Sequence, residues 1–116
     1  MTEREFEKMI REHKGTIYTV CYMFSTDNEE VADLFQEILI NLWRGSGTFR
    51  GDSALNTWIW KVSLNTCISF DRAIILLWLE NLSYEEIGQI VGITPKNVSV
   101  KLVRIKELRK AGYLYH

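Results

Sequence analysis

The stretch Leu82-Ser83-Tyr84-Glu85-Glu86-Ile87-Gly88-Gln89-Ile90-Val91-Gly92-Ile93-Thr94-Pro95-Lys96-Asn97-Val98 decides the fold. Ser83 with Glu86 three residues later is capping-box spacing and starts a short helix near Tyr84. Gly92 ends that helix, because a left-handed turn residue belongs there. Pro95 suits the first turn of the next helix, where its missing N–H would be unpaired anyway. Gly88 is small where two helices must cross closely, and Ile87, Ile93 and Val98 supply the core between them. A short helix, a turn of about three or four residues and a second helix form a helix-turn-helix unit.

The second helix of that unit is expected to expose Lys96, Asn97, Ser99, Val100 and Lys101, residue types able to contact base edges in a major groove. Lys101, Arg104 and Lys106 would neutralise phosphates and make binding salt-dependent. Residues 94–116 carry six bases against Glu107 alone, a net +5, on a 116-residue chain whose overall charge is −1. Residues 1–70 sum to −3 and residues 71–116 to +2, so an anionic partner is expected for the C-terminal end only. The plainer alternative is a helical hairpin with a solvated basic face.

Upstream, apolar residues recur at helical spacing. Phe6, Met9, Ile10, Ile17, Val20, Cys21 and Phe24 mark a first helix, roughly Glu3 to Phe24. Ser25-Thr26-Asp27-Asn28 breaks it and caps a second, with Glu29 and Glu30 in its first turn. Val31, Leu34, Phe35, Ile38, Leu39, Leu42 and Trp43 carry that helix to about Gly45. Gly45 to Asp52 is a loop by composition. Asp52 or Ser53 can cap a third helix running to about Phe70 through Leu55, Ile59, Val62, Leu64 and Ile68, and Asp71-Arg72 leads into a further apolar helix ending near Glu80. No strand pattern competes, so the expected fold is all-α: an N-terminal three-helix bundle, residues 1–70, joined directly to a C-terminal helix-turn-helix, residues 71–116.

With 47% hydrophobic and 25% charged residues, one proline and seven glycines, the balance is that of a globular chain. The longest apolar run, Ala73 to Leu79, is seven residues against the ~20 that cross a bilayer. The N-terminus carries acids among its bases and no apolar h-region, so a cytoplasmic protein without membrane insertion is expected. Cys21 and Cys67 sit in amphipathic patterns, with His13 and His116 isolated, so free thiols, no metal and no cofactor are expected. No Ser/His/Asp order, HExxH or P-loop occurs, and catalysis by this chain is not expected.

Two features upstream look functional. Glu29, Glu30, Asp33, Gln36 and Glu37 read as one broad polar face of the second helix, which on its own is a solvated face. Phe49 and Arg50 stand in the loop before Trp58 and Trp60, which lie about 200° apart on a helix and cannot both face one core. Aromatic rings, arginine and a helix N-terminus suit a single-stranded nucleotide site, the alternative being a Phe staple and a Trp at a domain edge.

These segments resemble a family. Asp33-Leu34-Phe35-Gln36-Glu37-Ile38-Leu39-Ile40-Asn41-Leu42-Trp43-Arg44, then Phe49-Arg50-Gly51-Asp52-Ser53 and Asn56-Thr57-Trp58-Ile59-Trp60-Lys61-Val62-Ser63-Leu64-Asn65, resemble region two of bacterial RNA polymerase sigma factors of the extracytoplasmic-function type. Residues 82–106 look like the same family's region four. The resemblance implies a transcription initiation factor with core RNA polymerase and promoter DNA as partners, and an anti-sigma protein as a further one. It implies polymerase docking through Asp33, Gln36, Glu37, Trp43 and Arg44. For the minus-ten single strand and its melting it implies Thr48, Phe49, Arg50, Asp52, Ser53, Asn56, Trp58, Lys61 and Asn65. Minus-thirty-five duplex reading falls on Lys96, Asn97, Ser99, Val100, Lys101 and Arg104.

The family's inter-domain linker is missing at Phe70-Asp71. Promoter elements two helical turns apart are separated by roughly 70 Å, and an extended chain needs about 20 residues to span that distance. Two other functions therefore stand beside the sigma reading. One is a helix-turn-helix regulator acting on duplex DNA without polymerase; the other is a compact polymerase-binding or interaction module inactive in initiation.

Overall fold

The computed structural model describes residues 1–49 and 55–110. Its five helices are α1 (Glu3–Phe24), α2 (Asn28–Gly45), α3 (Leu55–Leu79), α4 (Tyr84–Val91) and α5 (Pro95–Lys110), with no strand among the described residues. The protein is all-α. The chain divides into two compact units, Met1–Ile68 and Ser69–His116.

In the first unit α1 packs on α2, and α3 completes the bundle. Thr2 caps α1 in a full capping box with Glu5, and Asp27 caps α2 by accepting the Glu30 backbone N–H at 3.0 Å. Met9, Ile17, Val20 and Cys21 meet Val31, Leu34, Ile38 and Leu42 in the core, joined by Ile59 and Cys67 of α3. Polar contacts fix the register: the Thr16 hydroxyl donates to Asn56 Oδ1 at 3.3 Å, and Asn41 Nδ2 donates to Thr66 Oγ1 at 2.9 Å. Neither Cys21 nor Cys67 forms a disulfide, and both are buried in this core.

The third helix and the apolar stretch after it are one, with no interruption at the Phe70-Asp71 join. Residues 55 to 79 form one helix of 25 residues, because no glycine, proline or competing cap interrupts it. Ile68, read as a core position, is exposed on the outward side of that helix. By length and composition α3 is apolar enough to cross a membrane, which the seven-residue run did not suggest.

In the second unit the C-terminal turns of α3 join α4 and α5 around Ile74, Ile87, Val98 and Leu102, with Phe70, Leu77, Trp78, Leu82, Val91 and Ile93 packed against them. Asn81 at φ 65° turns the chain out of α3. Ser83 and Glu86 form the capping box expected of them, and Gly92 sits at φ 85° with its N–H on the Gly88 carbonyl. A Cβ on Gly88 would lie 2.5 Å from the Ile93 carbonyl oxygen, a backbone atom that cannot move aside cheaply. That approach is what closes the turn of the helix-turn-helix.

Hydrogen bonds from the Ser83 backbone and then its side chain hold the Glu86 carboxyl below the usual carboxylate range. The folded value lies below the unfolded one, so this stabilisation is present above the usual range and lost as pH falls through the lowered value. Melting curves of Glu86→Gln should therefore approach those of the wild type in acid and fall below them near neutrality. Gly88→Ala should destabilise the protein by about 1–3 kcal/mol through overpacking. Gly15→Ala, where a Cβ meets nothing within 4 Å, should stabilise it by roughly 0.5–1 kcal/mol, and thermal melting reads both.

Candidate functional site

On α2, Asp33, Gln36, Glu37, Ile40, Trp43 and Arg44 fall within an arc of about 120° at 100° per residue. Gln36, Ile40, Trp43 and Arg44 are exposed, and Asp33 and Glu37 are partly so. Ile40 at 44% exposure puts apolar surface in the middle of this charged stripe, and Trp43 at 46% puts it along one edge. Trp43 is held by an edge-on contact with Phe6 of α1, ring centroids 5.0 Å apart. Beside it, grooves of about 350 and 500 Å³ share Phe6 and Glu7, the first reaching Ile10, Arg11 and Leu39, the second Glu3 and Trp43. Glu30 does not belong to this face. It is buried, on the same side as Leu34 one turn on.

On α3, Trp58, Lys61 and Asn65 share one outward face, and Phe49 joins them: its ring stacks on Trp58 with centroids 4.8 Å apart and planes at 25°. Trp58 is half-buried, and a Cβ added at Gly45 would lie 3.5 Å from its Cζ2. Asn56 departs from the expectation. It lies about 140° to 180° from those three around the helix and accepts the Thr16 hydroxyl instead. Thr48 is exposed, its hydroxyl donating to the Gly45 carbonyl at 2.8 Å to close the turn after α2. Arg50, Asp52 and Ser53 lie outside the described residues.

The expected reading face of α5 needs the larger correction. Lys101, taken as an exposed phosphate or base contact, is fully buried, and its Nζ lies 2.7 Å from Asp71 Oδ1 and 5.9 Å from the centre of the Phe70 ring. Arg104 reaches the same carboxylate at 3.3 Å. Asn97 is buried too, its backbone N–H on Thr94 Oγ1 at the helix start. The reason is position: Asn97 and Lys101 share the inward face with Val98, Leu102 and Ile105. Lys106 stands over the Trp78 ring at 4.4 Å, so a second expected phosphate contact has an aromatic partner. The outward face holds Lys96, Ser99, Val100, Val103, Glu107 and Lys110, with Val103 53% exposed at its centre. Val103 was missed because an apolar residue within a polar helix reads as core.

Comparison with known proteins agrees with this architecture. The Sigma-70 region 2 family model matches residues 9–73, ending before α4 and α5. The RNA polymerase sigma-H factor of Pseudomonas aeruginosa is 34% identical over 64 residues, 55% of this chain and 33% of that protein. The ECF RNA polymerase sigma factor SigM of Mycobacterium tuberculosis is 27% identical over 63 residues, 54% of this chain and 32% of that protein. The ECF RNA polymerase sigma-E factor of Escherichia coli is 36% identical over 59 residues, 51% of this chain and 29% of that protein. The matched stretch spans about a third of the length of these curated relatives.

Removing one partner of a buried ion pair is costly. Asp71→Ala, which takes the anion from beside a fully buried ammonium, should destabilise by about 3 kcal/mol. Lys101→Met should cost less than half as much, because Asp71 keeps Arg104 and some solvent. Denaturant titration of the two variants checks the order.

Proposed function

The chain belongs to the Sigma-70 region 2 family, and on that premise we propose that it is a sigma-type subunit that binds core RNA polymerase and directs it to promoters. The observation that carries the proposal is the outward stripe of α2. Ile40 and Trp43 stand exposed among Asp33, Gln36, Glu37 and Arg44, a mixed apolar and charged surface of the kind buried by protein partners. Trp43, already ordered against Phe6, loses little rotamer freedom on docking.

Promoter contact is assigned to two further surfaces. Phe49, Trp58, Lys61 and Asn65 receive an unpaired minus-ten base, by ring stacking and by a cation for its phosphate, which favours the melted promoter. Arg50, Asp52 and Ser53 join this surface by the family resemblance alone. Lys96, Ser99, Val100, Val103 and Lys110 face a minus-thirty-five major groove, with Val103 suited to a thymine methyl group. Asn97, Lys101 and Arg104 support that helix from behind. No covalent step falls to this chain; the polymerase performs the chemistry.

A second reading has one observation on its side. Helix α3 runs without interruption where the family's linker is expected. That favours a polymerase-binding module over a factor that grips both promoter elements.

Capture of core RNA polymerase by the purified chain tests docking. Wild type should retain polymerase and Glu37→Lys should lose it by tenfold or more, with an unchanged melting temperature because Glu37 is not a core residue. Equal capture by both would place docking elsewhere. Run-off transcription from a matched promoter then separates an initiation factor, which yields transcript, from a binding module, which does not.

A further inference from the structure

Helix α1 carries a face that lies largely outside these roles, Arg11 alone of it lining the groove with Leu39 of α2. At 100° per residue, Arg11, Lys14, Gly15, Tyr18 and Tyr22 fall within an arc of about 100°, and all five are exposed. Among the described residues neither Arg11 nor Lys14 lies within ion-pair distance of a carboxylate, whereas Lys8 is 3.9 Å from Glu12.

The rings are ordered into a column. Tyr18 stacks on Phe35 of α2, with centroids 4.4 Å apart and planes at 20°, and Tyr22 follows at 6.4 Å and 31°. The column is anchored at Phe35 and open at Tyr22, which is 52% exposed. Gly15 sits between the bases and the rings. A Cβ there would meet nothing within 4 Å, so no contact inside the bundle requires glycine in the interior of a 22-residue helix, where alanine is more stable. The missing side chain leaves the helix backbone open to close approach from outside.

We propose that this face binds single-stranded DNA, at a site separate from the Phe49–Trp58 surface. Arg11 and Lys14 take the phosphates, Gly15 lets the sugar-phosphate chain lie against the helix, and Tyr22 extends its ring column under an unstacked base. From Arg11 to Tyr22 the helix rises about 16 Å, room for a few nucleotides. Glu7 and Glu3, one and two turns before Arg11, end the favourable stretch on the N-terminal side. A single strand fits where a duplex does not, because bases stacked within a duplex offer no free face to Tyr22. The choice of DNA rests on the sigma reading, in which the opened promoter supplies an unpaired strand.

Fluorescence anisotropy of the full chain with a labelled oligodeoxythymidylate of about 12 nucleotides tests the site. Tyr22→Ala should weaken binding about tenfold, and Tyr22→Phe should bind as wild type. Replacing Arg11 and Lys14 together by Gln should reduce the logarithmic salt slope by about 1.4, at 0.7 per phosphate on a single strand. Gly15→Gln should raise the melting temperature while weakening binding, a combination that misfolding does not produce. Unchanged affinity in these variants, with loss of binding in Lys61→Gln, would overturn the proposal and leave the sigma reading intact. Equal affinity for the matching duplex, or no strand binding by wild type at low salt, would also overturn it. Should polymerase capture fail while the α1 variants behave as expected, the site stands and the sigma reading falls.

Discussion

One helix has to satisfy two cores. Helix α3 gives Ile59 and Cys67 to the first unit and Ile74, flanked by Phe70, Leu77 and Trp78, to the second. The absence of glycine or proline from 55 to 79 lets it run through without a break. Its apolarity exceeds what the two cores bury, since only 22% of the span-like stretch is buried and Ile68, Leu76 and Leu79 stand exposed. Of its two buried hydroxyls, Thr66 donates to the Val62 carbonyl and accepts from Asn41, whereas the Ser63 hydroxyl has no hydrogen-bond partner among the described residues. A neutral hydroxyl satisfied on both sides costs little to bury.

The second unit is small, and it closes on charge as well as on apolar contact. Asp71 on α3 meets Lys101 and Arg104 on α5, so the carboxylate bridges two helices that flank the Ile74 cluster. Burying an ammonium is expensive, and a carboxylate at 2.7 Å with the Phe70 ring nearby offsets that cost without making the pair a net source of stability. What it supplies is geometry. A salt bridge between helices specifies one rotation of α5, and that rotation turns Lys96 and Val103 outward.

Much of this was legible before any coordinates. Ser83, Glu86, Gly92 and Pro95 act locally, through caps and backbone conformation, so their positions in sequence are enough to place α4 and α5. Lys101 was not legible as a charge, yet its spacing held the signal: it lies three residues after Val98 and four before Ile105, in the middle of the apolar stripe. A basic residue there must be paired, and Asp71 stands three residues before Ile74, at the matching place on α3. Counting it toward a +5 surface ignored that position. The Phe70-Asp71 join reads as linker-free from the sequence, and α3 passes through it unbroken because no glycine or proline stands there. Asn56 was grouped with Trp58, Lys61 and Asn65 by proximity in sequence, whereas helical rotation turns it toward Thr16.

The three helices of the first unit each bury one face, and so each presents a different chemistry outward. Helix α2 shows carboxylates around Ile40 and Trp43, α3 shows Trp58, Lys61 and Asn65, and α1 shows two bases ahead of two tyrosines. Outward faces of a three-helix bundle point away from one another, so a partner covering α2 leaves the other two open. Charge sorts the ligands further: the acidic stripe of α2 repels a phosphate backbone that the bases of α1 and Lys61 attract. On the proposed reading, a protein partner on α2 and a nucleic-acid strand on the others is the arrangement in which no face must serve two ligands.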